Sequence, residues 1–129
     1  MTAHISAQNE YALVTVHDWI GLNHSGPWTT YFGPRPCSST TSDVDFRVSS
    51  LYDVYFTAPS DDRVTENDAY SSVVTYNQCD IKLSDWVNNN PDGDQSGWIH
   101  SCTNLNGSGQ GDCPTVQSWY DRASSFLLS

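Results

Sequence analysis

The 129-residue sequence predicts an α+β domain that is mainly antiparallel β, a sandwich or open barrel stapled by disulfides, with one helix at the C-terminus. Three observations carry that expectation. The polar residues are mostly Ser, Thr, Asn and Asp, with only two Glu (Glu10, Glu66) and one Lys (Lys82). Glu and Lys build exposed helix faces, whereas the shorter polar residues favour caps, turns and strands. Several short stretches alternate apolar with polar residues, the period of a half-buried strand. Four cysteines and two glycosylation-type sequons share one short acidic chain, which is the pattern of a disulfide framework in an oxidising compartment.

Residues 1–10 are polar and read as a flexible N-terminal segment, with residues 11–129 forming the domain. Tyr11 to Asp18 is the best first strand, with Leu13, Thr15 and His17 alternating with Ala12, Val14 and Val16. Gly21 to Pro27 reads as a turn carrying the first sequon. Trp28 to Phe32 is a short strand stopped by Gly33-Pro-Arg-Pro-Cys37, because proline cannot donate to a ladder. Asp43 to Ser49 alternates, with Val44, Phe46 and Val48 on one face. Leu51 to Ala58 repeats the pattern through Tyr52, Val54 and Phe56. Pro59 to Asp68 is an acidic loop, Tyr70 to Tyr76 and Asp80 to Trp86 are further strands, and Asn88 to Gly97 is rich in turn residues.

The C-terminus reads differently. Asp112 can cap a helix and Pro114 suits its first turn. Val116, Trp119, Tyr120, Ala123, Phe126 and Leu127 then fall on one face, so a helix is expected over 114–127, docked on the sheet.

Four cysteines allow three pairings. Cys102 and Cys113 bracket a Gly-rich segment that closes easily, which favours Cys102–Cys113 and leaves Cys37–Cys79. The second bridge closes a loop of about forty residues and on the chain-entropy model stabilises the fold by roughly 3–4 kcal/mol. A zinc site is the rival, without the CxxC or CxxH pair that usual ligand spacing needs. The sequons are Asn23-His24-Ser25 and Asn106-Gly107-Ser108. Met1-Thr2-Ala3-His4 reads as a start placed on a mature chain whose signal peptide has been removed. The chain is thus expected to be a secreted, disulfide-bonded glycoprotein.

The net charge of -10 and five scattered basic residues argue against nucleic acid, which needs clustered Lys and Arg. No apolar stretch approaches the roughly 20 residues that span a bilayer, so no membrane insertion is expected. A neutral or cationic partner, such as a polysaccharide or a basic protein, stays open, as does the oligomeric state.

The sharpest local motif is Asp92-Gly-Asp-Gln-Ser-Gly-Trp-Ile99. Asp92, Asp94 and Ser96 supply oxygens at positions 1, 3 and 5 of a calcium loop, with Gly at 6 and an aliphatic at 8. A hard cation needs several oxygens converging at about 2.4 Å. Position 12 is Thr103 rather than a bidentate Glu, and an Asn/Asp/Gly turn has the same spacing. No other cofactor is implied. Of the aromatics, Trp28 and Trp98 lie beside turns and are candidates for stacking on a glycan or partner, whereas core packing claims most of the rest. Asp61-Asp62-Arg63 with Glu66 and Asp68 forms an acidic run. Ser, His and Asp are all present, with His17 and His100 the histidines a hydrolase would use, but no fixed-spacing nucleophile motif appears. No catalytic residue is assigned.

Asp45-Phe-Arg-Val-Ser-Ser-Leu-Tyr52 with Asp62-Arg-Val64 resembles stretches of the fungal guanyl-specific ribonucleases. Arg63 matches that family's arginine, but Val54 stands where its Glu should be and Tyr76 roughly where its His should be. The resemblance implies an inactive ribonuclease-like scaffold. Tyr11 to Gly21 and the loop from Cys102 to Cys113 resemble the Alternaria major-allergen family of secreted β-barrels, although Cys37 and Cys79 are too far apart for its other bridge. The expectation is a small secreted, non-enzymatic interaction protein of effector or elicitor type that binds an extracellular protein or glycan. The alternatives are a structural subunit of an extracellular or virion assembly and a small secreted hydrolase.

Overall fold

The computed structural model describes residues 2–5, 10–38, 40, 43–59, 64–107, 110–114 and 118–129. Two three-stranded antiparallel sheets hold these residues. The first has the order β2-β1-β4, with β1 (Tyr11–His17) between β2 (Trp28–Gly33) and β4 (Ser72–Thr75). The second has the order β3-β6-β5, with β6 (Ser125–Leu128) between β3 (Phe46–Val48) and β5 (Ile81–Ser84). The one helical turn among the described residues is 3-10, Val87–Asn89.

β1 is β-branched and apolar at the positions where it must be. Leu13, Val14, Thr15, Val16 and His17 are all buried, so both faces of the strand are covered rather than one. The sheets share a core: the Tyr31 ring of the first meets the Phe126 ring of the second edge-on, with centroids 5.1 Å apart, and Tyr70 tilts against Phe126 at 6.3 Å. At Gly33 the two sheets come so close that a Cβ would sit 2.7 Å from the Phe46 ring. Larger side chains are excluded there by packing, not by backbone conformation.

Both disulfides of the favoured pairing are formed. Cys37–Cys79 spans 42 residues and Cys102–Cys113 spans 11, each with Cα atoms 5.0 Å apart. Among the described residues no helix is long and apolar enough to cross a membrane. Of the N-terminal segment read as flexible, Ala3 and His4 are hydrogen-bonded: the Ala3 N–H donates to Arg47 and the His4 N–H to Phe32, and Ala3 is buried.

Two expectations are corrected. The helix over 114–127 does not form. Residues 115–117 lie outside the described residues, but from Trp119 onward the backbone is committed to distant segments. The Trp119 N–H donates to Leu105, Asp121 to Tyr70 and Ser124 to Ser84, while the carbonyls of Ala123 and Ser124 accept from Asp68 and Leu51. Asp121 adopts φ 57, which no α-helix continues through. Phe126 and Leu128 then face the core from a strand whose neighbours satisfy it on both edges. The helical spacing of the apolar residues was outweighed by two half-finished strands that needed a central partner.

The expected strand over 51–58 is also absent. The chain turns at Tyr52 and Asp53, with the Val54 N–H donating to Leu51. Only isolated bridges follow, Tyr55 with Thr65 and Ala58 with Trp28. Leu51 and Phe56 are buried, and Tyr52 is turned to solvent.

Candidate functional site

The segment from Gln95 to Cys102 crosses from one sheet edge to the other. It bridges β5 through Gln95 and Ile99, then β4 through Cys102. Ser96 fastens the crossing: its hydroxyl accepts from the Leu83 N–H at 2.8 Å and donates to the Gly97 carbonyl at 2.7 Å. Trp98 stands on this strap, half-buried, beside a cleft of about 450 Å³. The buried Ile99 and Trp119 line it with Pro114, and Asp94, Gln95 and Asp112 supply its polar groups. The Cys102–Cys113 bridge ties down the Cys113 wall.

Two cations and a backbone donor organise or border this region. The Arg122 guanidinium lies 4.4 Å from the Trp119 ring centre and donates to both Asp85 and Asp94 at 3.0 Å. It therefore covers one indole face and fixes a carboxylate at the cleft. The Lys82 ammonium sits 5.3 Å from the Trp98 ring centre. The Asp112 carboxylate accepts from the backbone N–H of His100 at 3.3 Å.

The residues singled out from sequence therefore part company. Asp94, Ser96 and Trp98 come together at this cleft, and Trp28 is not among its lining residues. Trp28 instead stacks on His24, centroids 4.6 Å apart, and His24 stacks on His17 at 5.0 Å. The loop oxygens have other work: Asp94 holds Arg122, Ser96 holds the strap, and Asp92 is exposed, its N–H donating to the Asn90 side chain. Among the described residues no group of three or more His, Cys, Asp or Glu side chains could hold a metal ion. Asp61, Asp62 and Arg63 lie outside the described residues. Asp112 and Trp119 line the cleft, with Arg122 over the Trp119 ring, although the sequence pattern points to a helix capped by Asp112 and carrying the other two. The Cys113–Pro114 pair beside Asp112 was the one signal that this stretch forms a wall.

The titratable groups with perturbed chemistry lie elsewhere. Glu66 is fully buried, and its Oε1 accepts from the hydroxyls of Tyr31 at 2.9 Å and Tyr70 at 2.5 Å. Burial pushes the Glu66 carboxyl up, and burial together with that carboxylate pushes both phenols up. Burial and the neighbouring His24 lower His17 to about 4, and neither of its ring nitrogens has a hydrogen-bond partner. Such sealed groups cannot meet a substrate.

His100 is exposed, and its Nδ1 lies 3.1 Å from Asp80. The Thr75 hydroxyl approaches the same nitrogen at 3.4 Å, and Ser101 approaches Thr75. A hydrolytic triad needs its acid on one imidazole nitrogen and its nucleophile on the other. Here acid and hydroxyl share one nitrogen. Comparison with protein-family models, curated proteins and solved structures finds no match for this chain.

Proposed function

We propose that this chain is a secreted, non-enzymatic interaction protein of effector or elicitor type, and that it binds a neutral or amino-sugar glycan in the Trp98 cleft. The observation that carries the reading is Trp98 itself, a half-buried indole on a strap braced to both sheets, beside a cleft that also holds Asp94, Gln95 and Asp112. Sugar recognition needs an aromatic face for the apolar C–H side of a pyranose and planar acceptors and donors for its hydroxyls. The cleft falls within the roughly 300–1,000 Å³ of small-ligand sites, which favours a short saccharide over a protein surface. The net charge of -10 and two carboxylates in the lining disfavour acidic sugars.

Secretion is supported by two formed disulfides, which persist in oxidising compartments. The shared nitrogen at His100 and the sealed Glu66 support a role without catalysis. The edge contact of Tyr31 with Phe126 supports the sandwich description of the two sheets.

A panel of immobilised neutral and amino-sugar oligosaccharides, followed by titration calorimetry on the best of them, tests this. Trp98→Ala is expected to weaken binding at least about tenfold, or about 1.4 kcal/mol. Equal binding by Trp98→Ala, or no saccharide bound at millimolar concentration, would refute the cleft assignment.

A further inference from the structure

A second aromatic surface lies away from that cleft. Trp19, Ile20 and Tyr120 are 48%, 50% and 43% exposed, and all three line one groove of about 420 Å³. Large side chains left in water together mark a surface that something covers. The remaining lining is polar: Asp18, Asn104 and the two sequon asparagines, Asn23 and Asn106. The sequons are far apart in the chain, yet their acceptor asparagines share this groove and are both exposed.

The groove is held in shape from both sides. The Gly21 N–H donates to the Thr103 carbonyl at 2.7 Å, which ties the turn carrying Asn23 to the turn carrying Asn106. The Ser72 hydroxyl donates to the Trp19 carbonyl at 2.6 Å and accepts from the Leu22 N–H at 3.1 Å. A Cβ on Gly26 would meet ring carbons of Trp19 at 2.3 to 2.7 Å, so the indole lies flat on the Gly26 backbone. One indole face is therefore seated, and the side chain remains half open to solvent.

We propose that Asn23 and Asn106 are N-glycosylation sites and that the chain's own glycan covers the Trp19–Ile20–Tyr120 groove, with its first sugar packed on the Trp19 indole. The modification forms a bond between the asparagine Nδ2 and the anomeric carbon of a glycosyl diphosphate carrier. The carbon–oxygen bond to the diphosphate breaks, the diphosphate leaves with that electron pair, and the amide nitrogen gives up one proton to the transferase. An N-linked first sugar carries an acetamido group and an apolar ring face, which match the asparagine amides and the indole. Because the sugar is tethered beside Trp19, a stacking contact too weak to hold a free sugar suffices, since tethering supplies an effective concentration in the millimolar range. The inference rests on the secreted reading of the chain, not on the Trp98 cleft.

The full chain secreted from a glycosylating host tests it, alongside Ser25→Ala, Ser108→Ala and the double variant. These remove the sequons and leave both asparagines in the groove. Peptide mass mapping is expected to find at least one of the two asparagines occupied. In the unmutated glycoprotein, NMR is expected to show a through-space contact between the acetamido methyl of the first sugar and the Trp19 indole. The glycan is expected to raise Tm by about 2–4 °C over the double variant, and Trp19→Ala is expected to abolish that increment. Two unoccupied asparagines with both disulfides formed would overturn the inference and leave the secreted reading standing, whereas unoccupied asparagines with free thiols would overturn both. Occupied asparagines without the NMR contact, or with the Tm increment intact in Trp19→Ala, would overturn the groove alone. If Trp19→Ala does not fold, the NMR contact decides.

Discussion

In the first sheet the central strand, β1, comes first in the chain and has seven residues; in the second the central strand, β6, comes last and has four. β1 pairs with β2 across a local connection and with β4 about 60 positions downstream, whereas both partners of β6 are distant, about 40 and 80 positions upstream. The first sheet also buries polar and ionisable side chains, Thr15, His17, Thr29, Ser72 and Thr75 among them. The second contributes Phe46, Ile81, Leu83, Phe126 and Leu128. The first sheet thus owes one of its two pairings to neighbouring sequence and buries the ionisable His17, whereas the second owes both pairings to distant segments and its strands bury no ionisable side chain.

The largest test of this contrast is Phe126→Ala. Phe126 is fully buried and touches Tyr31 and Tyr70. Its truncation is expected to cost about 3–5 kcal/mol in urea denaturation. Amide exchange should then accelerate in β1 as well as in β6, because the ring belongs to a shared core. Acceleration confined to β3, β5 and β6 would show that the sheets unfold as separate units.

The second test separates two buried titrations with opposite signs. Folding depresses His17 from 6.5 to about 4, so its contribution is present above 6.5 and is lost as pH falls towards 4. His17→Phe should flatten that acid limb. Folding raises Glu66 above its ordinary 4.5, so its contribution is present below 4.5 and is lost as pH rises through the folded value. Glu66→Gln should therefore be near neutral in acid and stabilising, relative to the parent, at pH 7. Urea midpoints measured from pH 3 to 8 check both, and an unchanged difference across that range would remove either residue from the account.

The smallest effect is expected at Arg122, whose ion pairs with Asp85 and Asp94 are partly solvated. Arg122→Ala should cost about 1 kcal/mol or less and lose sensitivity to salt. A larger loss would mean that its packing on Trp119, rather than its charge, braces the C-terminal stretch.

The same contrast explains what could be read from the sequence. β1 to β5 each fall inside a stretch that reads as a strand from its own residues, with alternation visible at β1 and β3. Both disulfides followed from loop closure. β6 is not legible, because Ser125–Leu128 becomes a strand only through the edges of β3 and β5, and its apolar spacing fits a helix equally well. The strand expected over 51–58 failed for the converse reason: its alternation is real, but its backbone is drawn off to Trp28, Val64 and Leu51. At the cleft, Asp94, Ser96 and Trp98 were visible as a motif. The hydroxyl and carboxylate expected to serve a cation instead secure a strap and an arginine, a use that depends on Leu83 and Arg122 far along the chain.

The place of β6 in the chain also sets an order of events at the ribosome. All four cysteines precede Phe126 in the chain, so both bridging pairs are complete in sequence before the middle strand of the second sheet has been made. Until β6 is made, β3 and β5 lack the neighbour that pairs with both of them, and the first sheet, whose strands all precede β6, is the surface on which Phe126 is received.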